Sequence, residues 1–287
     1  MSSSGHLDKV KKLREITGVG FKDCNIAVNE TGGDIEKSIE YLRIKGISKA
    51  SKKMERVAKD GLICTYEKNN KISIIEINCE TDFVAKNLEF ISFSENLSQL
   101  NFEKEGNLDI LKKAKMKDGN TVEDNLIRLI SKIGEKITIR RANFLNHEKC
   151  KNFFYIHTSI KKNIGKLGVI LSIEAKNFDS KVDDFGHKLA MHIAASNPLS
   201  IDTGGLNKDI LEKEKMIITE ELKNLGKEKK ITEKIANGKL EKFKQDNTLL
   251  NQIWIMDTKK KVKDIISELA KENSLIIKDF VRYKVGE

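Results

Sequence analysis

The sequence predicts an α+β fold: a helical module at the N-terminus, then a duplicated core of antiparallel sheets and helices with an inserted helical hairpin. Three observations predict it. Apolar residues recur at helical spacing over residues 1–46 and then change to the alternation typical of strands. The order hairpin, helix, helix, strand occurs over residues 61–147 and again over residues 148–200 and 244–287. A charged helical segment, residues 201–243, interrupts the second copy.

Residues 1–46 are expected to form three short helices. Two pairs of glycines, Gly18 with Gly20 and Gly32 with Gly33, separate them, because paired glycines favour turns. Asp34 suits the N-cap of the third helix, and Gly46 suits its C-terminal cap. A module of this size is only marginally stable by itself.

Residues 47–60 are predicted to be a basic linker. The cationic side chains in this segment are Lys49, Lys52, Lys53, Arg56 and Lys59. Such a run of like charges is typical of a solvent-exposed segment, either a solvated linker or a frayed helix, and we favour the linker. We therefore expect few contacts between the N-terminal module and the core.

Residues 61–147 are predicted to form the first half of the core. Two apolar runs around a polar turn at residues 68–71 indicate a β-hairpin. Helical spacing follows as far as Leu100 and resumes over residues 121–133, and residues 136–144 have the pattern of another strand.

The second half of the core repeats this order. Its predicted elements are strands over residues 153–160 and 167–175, helices over residues 181–197 and 259–271, and a final strand over residues 274–285. The first of these helices ends before Pro198, the only proline in the chain.

The inserted segment is predicted to be an antiparallel helical hairpin, with helices over residues 207–225 and 229–243 and a turn at Gly226 and Lys227. Its apolar seam consists of Leu211, Ile218, Leu222 and Leu225. Two interpretations stay open: a stiff solvated arm, or a surface through which two copies form a homodimer.

The net charge is +10 and the isoelectric point is near 9.2. Lys carries most of the positive charge, and Arg140 and Arg141 are the only adjacent arginines. Arg is the residue that reads phosphate in a planar fork, so we expect no direct nucleic-acid binding; an acidic protein partner fits the charge equally well. No run of about 18 apolar residues and no secretory signal occur, which predicts a cytoplasmic protein without a membrane span.

The sequence holds no pattern of a catalytic, cofactor or metal site. It lacks the loop G-x-x-x-x-G-K-S/T and the elbow G-x-S-x-G. The four cysteines are far apart, which predicts reduced and mostly buried thiols. His187 and His192 are five residues apart, whereas helical metal ligands prefer a spacing of four. We therefore expect a protein that binds a partner and is not an enzyme.

Four segments carry a family resemblance. E-I-N-C-E-T-D-F-V-A-K-N occupies residues 76–87, and M-H-I-A-A-S-N-P occupies residues 191–198. L-R-E-I-T-G-V-G at residues 13–20 and G-G-D-I-E at residues 32–36 precede them. In this order, over residues 7–287, they resemble bacterial elongation factor Ts, and the T-D-F-V-A-K-N run is the most specific part.

The resemblance implies a function. Members of that family bind elongation factor Tu and speed the release of GDP, after which GTP rebinds. Their T-D-F-V segment reaches into the partner and disturbs its Mg²⁺ site, a role that falls here on Thr81, Asp82, Phe83 and Val84. Familiar members often continue beyond the final V-G-E with a further helix that also contacts the partner. The sequence ends at Glu287, so the resemblance assigns no residues to that contact.

The resemblance also implies secondary contacts. A three-helix module of the ubiquitin-associated type docks on the partner's nucleotide-binding domain, and this role falls on residues 1–46. The candidate contact residues there are Leu13, Val19, Gly20 and Phe21. The strand segment around His157 is expected near the partner, and the helical hairpin makes dimer contacts in some members.

The residues of the T-D-F-V segment fit a partner contact by themselves. Thr81 is suited to cap a helix that begins at Asp82. On that helix an apolar stripe is formed by Val84, Leu88 and Ile91. Phe83 lies about 100° away from the stripe. It is therefore either an outward aromatic anchor or a core residue beside Phe90 and Leu97, and the resemblance favours the anchor.

Two other functions remain open from the sequence. The chain is alternatively a helical adaptor that binds peptides or small folds through residues 1–46 without exchange activity, or a basic RNA-binding protein. A pull-down separates the three: one dominant GTPase, a mixed set of proteins, or RNA that is lost at higher salt.

Overall fold

The computed structural model describes residues 3–223, 229–270 and 274–287. Its helices are α1 (Ser3–Thr17), α2 (Phe21–Glu30), α3 (Ile35–Lys53), α4 (Asp82–Ala85), α5 (Leu88–Glu103), α6 (Leu108–Lys113), α7 (Val122–Ile133), α8 (Ser180–Ser196), α9 (Lys208–Lys223), α10 (Lys229–Asp246) and α11 (Val262–Leu269). Its strands are β1 (Asp60–Lys68), β2 (Lys71–Cys79), β3 (Thr138–Leu145), β4 (Cys150–His157), β5 (Ile164–Gly165), β6 (Leu167–Ala175) and β7 (Leu275–Lys284). The predicted α+β class is confirmed.

The strands form two antiparallel sheets with the same internal order. One sheet runs β3-β2-β1-β5 and the other β4-β6-β7. In each sheet a hairpin is followed, after helices, by a strand that pairs with the hairpin's second strand. The register shifts between Glu76 and Ile77 in the first sheet, and at the corresponding place between Ser172 and Ile173 in the second. This common order and bulge match the repeat in the sequence.

The turn of the first hairpin also joins the two sheets. Asn69 and Asn70 have positive φ angles of 51° and 58°, which suit a two-residue hairpin turn and which asparagine tolerates. The Asn70 side chain accepts a hydrogen bond from the backbone N–H of Asn152 at 3.0 Å and donates to the carbonyl of Cys150 in β4. The polar turn was predicted, but its contact with the other sheet was not.

The predicted strand over residues 153–160 is shifted toward the N-terminus, to Cys150–His157. β4 ends at His157, and β5 pairs with Ile63 and Cys64 of β1, so the chain crosses from one sheet to the other. Gly165 permits this close crossing, because a Cβ on it would stand 2.7 Å from the carbonyl oxygen of His157.

Apolar clusters lie beneath the helices of each sheet, and a further cluster lies between the sheets. Its buried members are Ile63, Ile72, Ile74, Leu145, Ile170 and Tyr283. Beside this cluster, Glu76 is fully buried and accepts from Arg141 Nε at 2.5 Å, from Arg140 Nη1 at 3.1 Å and from Gly286 N at 3.2 Å. A buried carboxylate satisfied in this way ties the end of the chain to β2.

The third helix of the N-terminal module differs from its prediction. α3 does not end at Gly46 but runs on to Lys53, so half of the predicted linker is helical. Gly46 serves close packing instead: a Cβ there would stand 2.9 Å from Ser131 Oγ and 3.5 Å from an Ile127 methyl, both on α7. Arg43 adds an ion pair to the α7 residue Asp124 at 2.7 Å. The expectation of few contacts between module and core was wrong.

Helices α9 and α10 follow α8 and precede α11 in the sequence, and they pack against each other. Ile218 and Leu222 of the predicted seam are buried, and Leu211 is half-buried. The predicted turn at Gly226 and Lys227, and Leu225, lie outside the described residues. Met216 and Ile217 on α9 are exposed.

Over the residues that the structure describes, none of the helices has the length and apolar character needed to cross a bilayer.

Candidate functional site

The T-D-F-V turn directly follows β2, which ends at Cys79. Thr81 adopts an extended conformation and its hydroxyl accepts a hydrogen bond from the backbone N–H of Val84 at 3.4 Å. The predicted cap is confirmed. The helix that it caps, α4, is a single turn.

This turn divides its residues between two tasks. Phe83 is 81% exposed, and Asp82 is half-exposed. Val84 is only 7% exposed and packs in the apolar cluster beneath the first sheet's helices. Its expected contact with a partner does not fit this position, because its side chain faces the interior. Thr81 and Val84 hold the turn, and Asp82 and Phe83 are presented outward.

The predicted continuous helix breaks after this turn. Asn87 caps α5, accepting from the backbone N–H groups of Glu89 at 2.9 Å and of Phe90 at 3.4 Å. The break rotates Leu88 out of the predicted apolar stripe, and Leu88 is 82% exposed. The stripe was therefore wrong at this position. Phe83 and Leu88, one on each side of the break, are both exposed apolar side chains.

Phe83 does not join the buried residues beside which it would lie as a core residue, Phe90 and Leu97. Phe90 and Leu97 are fully buried in the cluster that also contains Val84. Removing an aromatic side chain from water is favourable. A Phe that is exposed on an ordered turn is therefore a candidate for burial in a complex.

Asp82 carries a charge at the tip of the turn. Lys86 Nζ donates to its carboxylate at 2.8 Å, and this hydrogen bond lowers the pKa of Asp82. Because both groups are exposed, the ion pair adds little stability and is readily exchanged for another contact. Asp82 is thus an ionised carboxylate available to a partner at neutral pH.

The carboxylate of Glu135, which lies outside the turn, binds the backbone where the chain enters the turn. Glu135 Oε2 accepts from the backbone N–H of Glu80 at 3.2 Å and of Thr81 at 3.1 Å. Glu135 Oε1 accepts from the Thr81 hydroxyl at 2.7 Å. In return, Glu80 Oε1 accepts from the backbone N–H of Lys136 at 2.6 Å. We call this reciprocal arrangement of Glu80, Thr81, Glu135 and Lys136 the carboxylate clasp.

Sequence reasoning missed the carboxylate clasp. The local signal is Gly134, which ends α7 in a left-handed conformation (φ 91°), so that Glu135 is the first residue after this cap. Nothing in the sequence indicates that the residue after this cap contacts Thr81.

Cys79, the last residue of β2, also helps to hold the start of the turn. Its thiol is buried and donates to the carbonyl of Thr81 at 3.1 Å. Burial raises the pKa of Cys79 to about 12, so the thiol is protonated at neutral pH and acts as a donor.

The loop of the N-terminal module lies on the same side as the start of α5. Lys132 Nζ is 2.5 Å from a carboxylate oxygen of Glu89. The same Nζ lies beside Gly18 of the module's loop (φ 66°), 3.1 Å from the position that a Cβ on this residue would take. A cleft of about 310 Å³ between module and core is lined by Thr17, Glu89 and Lys132 among others. The structure therefore brings the module's loop and the α5 N-terminus together.

The candidate contact residues of the module differ in accessibility. Gly20 is exposed, Phe21 is 44% exposed and Val19 is half-buried. Leu13 is fully buried in the module's core with Val10 and Cys24. Its expected partner contact does not fit this position, since its side chain supports the module from inside.

His157 lies apart from the turn, at the end of β4. It is exposed, and its Nδ1 lies 3.0 Å from the Tyr155 hydroxyl. Both residues line a groove of about 410 Å³ that also contains Met191 and Met256.

The histidine of the M-H-I-A-A-S-N-P segment, His192, is structural. His192 is fully buried, stacks on Trp254 and lies with Nε2 3.1 Å from Gln252 Oε1. The backbone N–H of Ile255 donates to its Nδ1 at 3.4 Å. Burial lowers the pKa of His192, so the ring is neutral and holds the loop that borders the groove. Within the described ranges, no group of three or more His, Cys, Asp or Glu side chains is arranged to bind a metal ion.

Comparison with known proteins gives a consistent result. Residues 80–287 match the family model described as elongation factor TS. The curated elongation factor Ts of Gluconobacter oxydans is 35% identical to this chain, that of Zymomonas mobilis 37% and that of Methylorubrum extorquens 38%. Each alignment covers 97% of this chain and 91% of the relative.

Proposed function

The chain belongs to the elongation factor Ts family of translation elongation factors, and from this premise we propose that it is a guanine nucleotide exchange factor for elongation factor Tu. One observation carries the proposal: Phe83 is 81% exposed on a turn whose backbone is held by the core. Asp82 and Phe83 enter the partner near its Mg²⁺ and nucleotide site, GDP leaves, and GTP rebinds.

The two exposed side chains of the turn have different tasks in this mechanism. Phe83 loses its contact with water in the complex, and burial of a side chain of this size contributes about 1.5–3 kcal/mol. Asp82 exchanges Lys86 for groups of the partner and places a negative charge near the metal's ligands. The favourable contacts form only when the nucleotide site is distorted, so the factor stabilises the nucleotide-free state.

The chain acts through binding and is not an enzyme in this proposal, and it needs no cofactor or metal of its own. The N-terminal ubiquitin-associated-like module docks on the nucleotide-binding domain through Val19, Gly20 and Phe21, on the side where Lys132 joins the module to α5. His157 makes a second contact from its groove. The protein works in the cytoplasm, where its partner is.

The hairpin of α9 and α10 is inserted in the second half of the core and serves self-association in this proposal. Met216 and Ile217 leave apolar surface on its outer side, 72% and 55% exposed. A second copy is the occupant that the family resemblance favours, giving a homodimer.

Release of fluorescent GDP from purified elongation factor Tu tests the proposal. Adding a small amount of this protein is expected to accelerate release, with each molecule acting repeatedly. Unchanged release at saturating protein would overturn the exchange function and favour the helical adaptor. Salt-sensitive recovery of RNA in place of a GTPase would favour the RNA-binding alternative.

A further inference from the structure

We propose that Glu135 is a positioning residue for nucleotide exchange, which sets the orientation of Asp82 and Phe83 without contacting the partner. The inference rests on the proposed exchange function. It starts from the carboxylate clasp, in which one carboxylate binds the backbone at two consecutive residues and the hydroxyl of Thr81.

The clasp acts at the point where the turn leaves the sheet. The last residue of β2 is Cys79, so Glu80 and Thr81 no longer have ladder partners for their backbone N–H groups. Glu135 accepts both. Hydrogen bonds to an ionised acceptor are stronger than those between neutral groups, so this carboxylate fixes the direction in which the chain enters α4.

The remaining restraints on Asp82 and Phe83 are weaker. The cap from Thr81 to Val84 is long, at 3.4 Å, and the hydroxyl that makes it is oriented by Glu135 Oε1 at 2.7 Å. Val84 anchors the far end of the turn in the core. Without Glu135 the turn therefore keeps its buried end, while its entry is held by the Cys79 thiol and by the bond from Lys136 to Glu80.

Glu135 is itself firmly placed. It follows the left-handed cap Gly134, and the next residue, Lys136, is bound through its backbone N–H to Glu80. Lys136 Nζ donates to the carbonyls of Met54 at 2.6 Å and Arg56 at 2.8 Å, directly after α3. The clasp thus joins the turn to α7 and to the end of the module's third helix, and these three elements share one support.

A positioning role predicts coupling between Glu135 and Phe83. If Glu135 acts by aiming Phe83, the benefit of the ring depends on the clasp, and removing both is less harmful than the two single losses multiplied. A residue that only stabilises the fold gives independent losses.

The experiment measures release of fluorescent GDP from elongation factor Tu with wild-type protein, Glu135→Ala, Phe83→Ala and the double variant, each below its melting temperature. We expect Glu135→Ala to slow exchange about tenfold, since small misplacements of a positioned group lower rates steeply. Phe83→Ala should then matter several-fold less in the Glu135→Ala background. Glu123→Ala, an exposed glutamate at the start of the same helix α7, is the control and should exchange like wild type.

Amide hydrogen exchange of the free protein gives an independent readout. Glu135→Ala should lose protection at Glu80 and Thr81 while the amides of β2 stay protected. If Glu135→Ala does not fold, Glu135→Gln replaces it: the amide oxygen can still accept from the two backbone N–H groups, but the negative charge is lost and an NH2 group faces the Thr81 hydroxyl, so an intermediate loss is expected.

The outcomes separate the two levels of the proposal. Wild-type protein that leaves GDP release unchanged overturns the exchange function itself. Active wild-type protein with independent losses at Glu135 and Phe83, or with wild-type exchange in Glu135→Ala despite lost amide protection, overturns the positioning role alone.

Discussion

Glu135 binds Thr81 at two points, its backbone N–H at 3.1 Å and its hydroxyl at 2.7 Å, although 54 residues separate the two in sequence. The contact makes the exposed turn part of the rigid core. A flexible loop would lose conformational entropy on ordering in a complex, and a turn fixed in advance avoids most of that loss. In the proposed exchange function, the outward Phe83 is therefore a preorganised anchor.

Phe83→Ala should leave the fold intact and weaken function. An exposed side chain changes the free energy of unfolding by about 0.5 kcal/mol or less, whereas loss of an interface hot spot weakens binding by about 2 kcal/mol, roughly thirtyfold. Thermal melting and GDP release measure the two effects. Phe90→Ala is the matched control: Phe90 is fully buried, so its loss should destabilise by about 3–5 kcal/mol. A Phe83→Ala protein that melts like Phe90→Ala would contradict the anchor.

Asp82→Ala should slow exchange in a way that depends on Mg²⁺. If Asp82 helps to displace the metal, its loss matters while Mg²⁺ is bound and matters less after chelation, since that step has then already happened. GDP release with and without a chelator measures this. Lys86→Ala removes only the ion-pair partner and should retain exchange, because the pair is exposed. An Asp82→Ala deficit of the same size with and without chelator would contradict the metal step.

His192 should make stability depend on pH. Burial lowers its pKa below the usual 6.5, so between the folded value and 6.5 the unfolded chain binds more protons at this site. Its contribution is fully present above pH 6.5 and falls as the pH decreases through that window. Urea unfolding at several pH values measures the effect. His192→Gln should lower stability at neutral pH and flatten this part of the pH profile, and an unchanged slope would assign the dependence to other groups.

Replacing residues 207–243 by a short turn should change self-association more than exchange. The seam of Ile218 and Leu222 is buried within the hairpin and contributes little to the two main clusters beneath the sheets. Sedimentation should show fewer dimers, and GDP release should remain close to wild type. An unfolded deletion variant would mean that the hairpin is required for the fold.

Features that depend on neighbouring residues could be predicted from the sequence. The Thr81 cap follows from a hydroxyl placed before a helix start, and the buried face of α8, with Val182, Phe185 and Leu189, follows from helical spacing. The outward direction of Phe83 followed from the same spacing together with the family resemblance.

Features that depend on competition or distance were missed. Leu88 fits an apolar stripe, but the Asn87 cap breaks the helix, and a local hydrogen bond then decides its direction. Gly46 resembles a helix end, yet glycine also permits close packing, here against Ser131. Glu135 carries no local signal, because its partners are brought to it by the sheet.

The decisive measurement for nucleotide exchange is the affinity of this protein for elongation factor Tu in its nucleotide-free and GDP-bound forms. Linkage requires that a factor which weakens GDP binding is itself bound more weakly, by the same ratio, when GDP is present. Calorimetry with both forms should therefore give tighter binding to the nucleotide-free form, with a ratio equal to the weakening of GDP by the factor. Equal affinity for the two forms would contradict nucleotide exchange, however tight the binding.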